Sequence, residues 1–210
     1  MAYTTTAQIR RITNIVSADI LDAELNDLIG DATAQLNSDI NIRVVRERVE
    51  KIDNTRDNAI NGINTIFYIK NWEMGYIADM NDDGEVDEDD IKVYLVDSSG
   101  TETEATVSSV DIENGKFVLS TAPNSSLKMF ITYEYCIEIP TSKRISLACA
   151  FLTAAYAYEK INRGMSPQQV YGNTRFMRDM RAGNSYFQRY ESEISKINGE
   201  MGDYSESEVF

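Results

Sequence analysis

The stretch Asp79-Met80-Asn81-Asp82-Asp83-Gly84-Glu85-Val86-Asp87-Glu88-Asp89-Asp90-Ile91-Lys92-Val93-Tyr94-Leu95-Val96 decides how this chain is read. Its first twelve residues follow the calcium-loop spacing D-x-[DN]-x-[DN]-G, with an acid at position twelve. Its last six residues are β-branched, aromatic and alternating, which predicts a strand. An EF-hand loop would run into a helix at that point. The stretch therefore reads as an acidic loop grafted into a β module.

Calcium takes about six to eight hard oxygens, and alternate loop positions turn inward to supply them. On this spacing the candidate metal ligands are Asp79, Asn81 and Asp83 through side chains and Glu85 through its carbonyl. Asp87 would act directly or through water, and Asp90 would close the site. Gly84 permits the sharp turn, and Val86 packs the loop on a core. Position twelve is Asp, as in dockerin-like loops, with a shorter arm than the usual Glu. Ca2+ is the expected cofactor, ordering the loop by neutralising it; the plainer alternative is a solvated acidic turn.

Working outward, 62–139 contains further runs of strand composition: Thr65–Ile69, Thr106–Val110, Lys116–Leu119 and Met129–Tyr135. Turn signals separate them, and Asn114-Gly115 between two such runs predicts a hairpin. The ends of the chain read as helix. Thr6 is a plausible N-cap for a short helix through Ile12, with Ser17 or Asp19 capping a longer one. That longer helix carries Ile20, Leu21, Leu25, Leu28, Ile29, Ala32, Leu36 and Ile40 as a stripe. The polar segment Arg43–Ile60 is a further helix or an extended connection. Thr141 or Ser142 caps a helix through Ile161 that Gly164 ends, Ser166-Pro167 starts another turn, and a last helix covers about Asn184–Ile197. The expected fold class is α+β: a helical bundle body from 1–61 and 140–198, an inserted small antiparallel β domain at 62–139, and a flexible acidic tail at 199–210.

The net charge is −14, with eight acids in Asp79–Asp90 and four in Gly199–Phe210, neither segment holding a base. The remainder has 22 acids against 20 bases, so the body is nearly neutral and a phosphate-gripping nucleic-acid surface is not expected. Histidine is absent, which removes histidine-based triads and general bases. Cys136 and Cys149 lack metal-site spacing and read as small buried hydrophobes. The apolar run Ile145–Tyr158 is short for a membrane span, and the first residues lack a signal-peptide pattern, so cytoplasmic synthesis is expected.

Other signals are weaker. Ser125-Ser126-Leu127-Lys128 has an S-x-x-K spacing and reads as a turn. Arg175, Arg178 and Arg181 recur every third residue, as on an exposed basic face. Tyr156, Tyr158, Tyr171, Phe176, Tyr186, Phe187 and Tyr190 suit a core or a subunit interface, and Ser207–Phe210 could dock on a neighbour. No catalytic constellation emerges, and the chain is not expected to be an enzyme.

Tyr3–Ile12, then Ser17–Ile29 running into Asp31–Asn37, and the helix Leu147–Tyr156 together resemble the phage head–tail connector (adaptor) family. The resemblance covers about a third of the chain, and the β section departs from the mostly helical minimal adaptor. It implies a virion protein at the neck that forms a homo-oligomeric, typically dodecameric, ring. Such a ring sits under the portal protein, receives a downstream neck or tail protein and extends the DNA channel without sequence-specific binding. The acidic tail would order on the portal. The alternatives are another neck, tail-completion or decoration virion protein, a secreted calcium-dependent protein-binding module, or a hydrolase using the acidic cluster.

Overall fold

The computed structural model describes residues 3–163 and 174–205, with side chains in the last helix described for 181–199. The fold is α+β, and the chain divides into two compact units. The helical unit takes residues up to Ile40, Asp82–Gly84 and residues from Thr141 onward; the β unit takes Asn41–Asn81 and Glu85–Pro140. Among the described residues no helix is long and apolar enough to cross a membrane.

In the helical unit, helix α1 (Thr6–Ile12) starts at Thr5, whose hydroxyl accepts from Gln8 N at 3.2 Å. The cap is thus one residue earlier than Thr6. Helix α2 (Asp22–Ile40) buries Leu25, Ile29, Ala32, Leu36 and Ile40, the spacing of one helical face. Ser17 and Asp19 lie in the turn before it, and Leu21 is exposed, so the predicted stripe starts at Leu25. Helix α3 (Lys143–Arg163) begins where expected, with the Ser142 hydroxyl accepting from Ile145 N at 3.1 Å. Its buried residues include Ala148, Ala150, Ala154, Ala155 and Ala157. Small side chains bring neighbouring backbones close, and α3 packs on α1, α2 and the last helix, α4 (Thr174–Ser205).

The core here joins sequence-distant ends: Ile9, Ile15, Ile20, Leu25 and Ile29 cluster with Ala150, Ala157 and Tyr158. Tyr158 stacks on Tyr186 with ring centroids 5.8 Å apart. The Tyr186 hydroxyl donates to Ile12 O, and Tyr190 donates to Asp39. Helix α4 is longer than the expected Asn184–Ile197 and runs through Gly199 to Ser205, so the tail expected to be flexible from 199 is helical to that point. Residues 206–210 lie outside the described residues, as do Gly164, Ser166, Pro167 and Tyr171.

The β unit holds two antiparallel sheets around one core. Its strands are β1 (Ile42–Arg48), β2 (Ile66–Tyr68), β3 (Tyr76–Ile77), β4 (Ile91–Val96), β5 (Glu102–Ala105), β6 (Val107–Asp111), β7 (Lys116–Leu119) and β8 (Lys128–Cys136). One sheet runs β1-β8-β4-β5, with β3 also on β8; the other runs β2-β7-β6. Only Thr106 separates β5 from β6, so one kinked strand borders both sheets. Phe67, Phe117 and Leu119 from one sheet meet Ile77, Val93, Ile131 and Tyr133 from the other.

The segment Arg43–Ile60, expected with the helical body to residue 61, belongs to the β unit from Asn41 onward. It opens as strand β1, in which Ile42 and Val44 pack on the core while Arg43, Arg46 and Arg48 are exposed. The pairing partner β8 decides the conformation that this charged sequence leaves open. A bulge between Val44 and Glu47 puts Arg46 at φ 55°, and its guanidinium spans Phe130 and Tyr94 to reach both carboxylate oxygens of Glu102 at 3.1 and 2.6 Å.

The expected hairpin forms at Asn114-Gly115 between β6 and β7. Gly115 has φ +56°, and an added Cβ would lie 2.7 Å from Trp72 Cβ and 2.9 Å from Ile69 Cγ1. Gly115→Ala is expected to destabilise the protein by about 2–4 kcal/mol, from backbone strain plus overpacking. Chemical denaturation of the two proteins measures this; equal midpoints would contradict it.

Candidate functional site

Strand β8 sets the geometry of the acidic loop. Strand β3 lies along the edge of β8 opposite β1, with Ile77 paired to Tyr135 and Ala78 N donating to Glu134 O at 2.9 Å. The next residue along that edge would face Tyr133. Ile91 of β4 holds that place. Residues Asp79–Asp90 are therefore an excursion of twelve residues from a line of pairing that resumes where it stopped. An even number keeps the alternation of faces, so Ile77 and Ile91 both enter the core.

A buried carboxylate closes the neck of this loop. Asp90 Oδ1 accepts from Met80 N at 2.6 Å and Asn81 N at 3.2 Å, and Oδ2 accepts from Asp87 N at 2.9 Å. Asp87 caps the 3-10 turn Glu88–Asp90, its Oδ1 accepting from Asp89 N at 3.0 Å. Asp79 and Asp90 are both fully buried. Burial raises the Asp90 carboxyl to about 6; its three amide bonds act against that, and the charge of Asp79 adds to it. Asn41 Nδ2 donates to Asp79 O at 3.1 Å, beside its bond to Glu134.

The turn chemistry matches the motif. Asp82 and Gly84 take left-handed φ values of 63° and 83°, so Gly84 stands at the turn expected of it. Val86 packs against the β core, as the sequence predicted. Asp82, counted with the helical unit, accepts from Asn37 Nδ2 of that unit at 2.8 Å.

Asp79 and Asp90 are gathered in the interior, Asn81, Asp83 and Glu85 are exposed, and Asp87 is committed to its cap. Among the described residues no group of three or more acidic, histidine or cysteine side chains converges as a metal would require.

The remaining sequence candidates are placed as follows. Ser125 and Ser126 form a turn, with Asn124 Oδ1 accepting from Ser126 N at 3.1 Å. Arg181 is exposed, while the side chains of Arg175, Phe176 and Arg178 lie outside the described ones. Tyr158 and Tyr190 are buried, and Phe187 is exposed. Cys136 and Cys149 are buried free thiols, both raised to about 11 by desolvation. In the helical unit, Leu28, Ala34, Tyr156, Lys160 and Arg163 line an open groove of about 750 Å³ between α2 and α3. No family model, curated protein or solved structure matches this chain.

Removing Asp79–Asp90 and joining Ala78 to Ile91 is expected to leave a folded β unit with a continuous strand. Removing only 79–89 would turn Ile91 and Val93 outward and cost about 3 kcal/mol or more. Thermal melts and amide NMR dispersion of the two deletions distinguish them, and identical behaviour would refute the in-register reading.

Proposed function

We propose that this chain is a head–tail connector (adaptor) subunit of a tailed virus, working by assembly and not by catalysis. In this reading it forms a ring at the neck of the virion, between the portal protein and the next neck or tail protein, and DNA passes through the ring's channel. The observation that supports the reading is the helical unit. Its N-terminal helices α1 and α2 and its C-terminal helices α3 and α4 share one core, with the β unit inserted in the chain between them. That is the arrangement the sequence resemblance implies. The groove along α2 and α3 and the exposed Phe187 are surfaces of the kind that lateral neighbours cover.

The purified protein is expected to form closed rings, measured by mass photometry and negative-stain electron microscopy. A monomer under every concentration and salt condition would overturn the ring. Assembly into open or two-fold particles would favour another neck, tail-completion or decoration role.

Calcium binding by the acidic loop belongs to the same proposal. The support is its twelve-residue length, the left-handed turns at Asp82 and Gly84, and the acidic spacing. Asp79, Asn81, Asp83, Glu85, Asp87 and Asp90 would hold the ion, and the ion would relieve the repulsion of eight clustered acids. At a hundredfold excess over its Kd, calcium would add about 2.7 kcal/mol of stability, a shift of several degrees in Tm. Differential scanning calorimetry with calcium and with chelator measures this. Asp83→Asn is expected to reduce the shift, and an unchanged Tm in the wild type would refute binding.

A further inference from the structure

The β unit closes one sheet edge with side chains. At β2, Asn64 Oδ1 accepts from Ile66 N at 3.0 Å while its Nδ2 donates to Ile66 O at 2.8 Å. Asn58 does the same for Tyr68, at 2.8 and 2.9 Å. These two amides stand in for a neighbouring strand and block strand addition there. In the other sheet, the terminal strands β1 and β5 receive no such cover among the described residues.

The backbone of β5 faces outward at two acids. Asp97 N donates to Thr101 O at 3.0 Å, which makes Leu95–Thr103 a hydrogen-bonded pair and turns the amides of Glu102 and Glu104 away from β4. On β1, Val49 N donates to Met129 O at 3.0 Å, so the amide of Arg48 also points away from β8. The Arg43 and Arg48 side chains are 61% and 58% exposed.

One cross-strand row joins the two edges. Arg48 pairs with Phe130, Phe130 with Tyr94, and Tyr94 with Glu104, so Arg48 and Glu104 end the same row on the same face. Each neighbouring pair along β1-β8-β4-β5 is antiparallel, so β1 and β5 run in opposite directions. A second copy placed beside the first in the same orientation therefore sets its β1 antiparallel to the first copy's β5. Two-fold pairing of β1 with β1, or β5 with β5, would set like charges opposite each other.

We propose that copies of this chain join head to tail, β1 of one adding to β5 of the next, with Arg48 facing Glu104 across the junction. Such a heterologous contact closes into a ring when the rotation between copies permits it. The inference rests on the ring reading and supplies its contact. Arg46 and Glu102 already pair within one subunit and serve to order this face. Glu50, 3.2 Å from Arg48 in the same chain, is the competitor that the junction must displace.

The test is a charge exchange on the full chain, read by mass photometry at fixed concentration, with far-UV circular dichroism to establish folding. Arg48→Glu and Glu104→Arg are each expected to lower the assembled fraction tenfold or more. The Arg48→Glu/Glu104→Arg double variant is expected to regain assembly, and wild-type assembly should weaken with added salt. A wild type that assembles while both single variants assemble equally well overturns the edge junction and leaves the ring reading standing. Failure of the double variant to recover, or a wild type that stops at dimers, also overturns the junction. A wild type that remains monomeric overturns both.

Discussion

Strand β8 is the constraint on which the β unit turns. One of its edges pairs with β1, and the other carries β3 and β4 in line. Its residues Met129, Ile131 and Tyr133 are wholly buried, so its register cannot slip without moving the core to the solvent face. Everything attached to it inherits that register. The acidic loop can leave and rejoin only at adjacent partners, and the bulge in β1 is what carries Arg46 over the face of the sheet.

The loop shows how polar chemistry is accommodated inside such a frame. An ionised carboxylate in the interior is costly unless hydrogen bonds or counter-charges answer it. Three backbone amides answer Asp90, and they are the same amides that hold the loop's two ends together. Asp79 beside it adds a repulsion that burial makes worse. Loop closure and acidity are therefore coupled: the residue that staples the neck is also one whose charge a cation would relieve.

The helical unit solves a different problem, joining segments more than a hundred residues apart. The alanines of α3 leave room for close approach, and larger residues fill the space from the other side: Ile9, Leu25 and Ile29 from the N-terminal helices and Tyr186 from α4. Hydrogen bonds from Tyr186 to Ile12 O and from Tyr190 to Asp39 add direction to an otherwise apolar contact. Because both chain ends contribute to one core, the β unit can be inserted without either unit losing its own interior.

The sequence by itself determined the α+β class, the strand pattern of Ile91–Val96 and Met129–Tyr135, the hairpin at Asn114-Gly115, a helix cap at Thr141 or Ser142 and the turn of the acidic loop at Gly84. Each of these is written in local chemistry: alternation, turn residues or capping groups. Tertiary structure alone decided the rest. Strand β1 carries three arginines and a glutamate in seven residues, so its sequence has no strong preference until β8 pairs with it. Helix α4 extends beyond its legible stretch on both sides, and Leu21 falls off the stripe because α2 starts after it. The in-register exit and return of the loop and the Arg48–Glu104 row exist only once strands are paired. Pairing partners lie far apart in the chain, and no local spacing encodes which strand stands beside which.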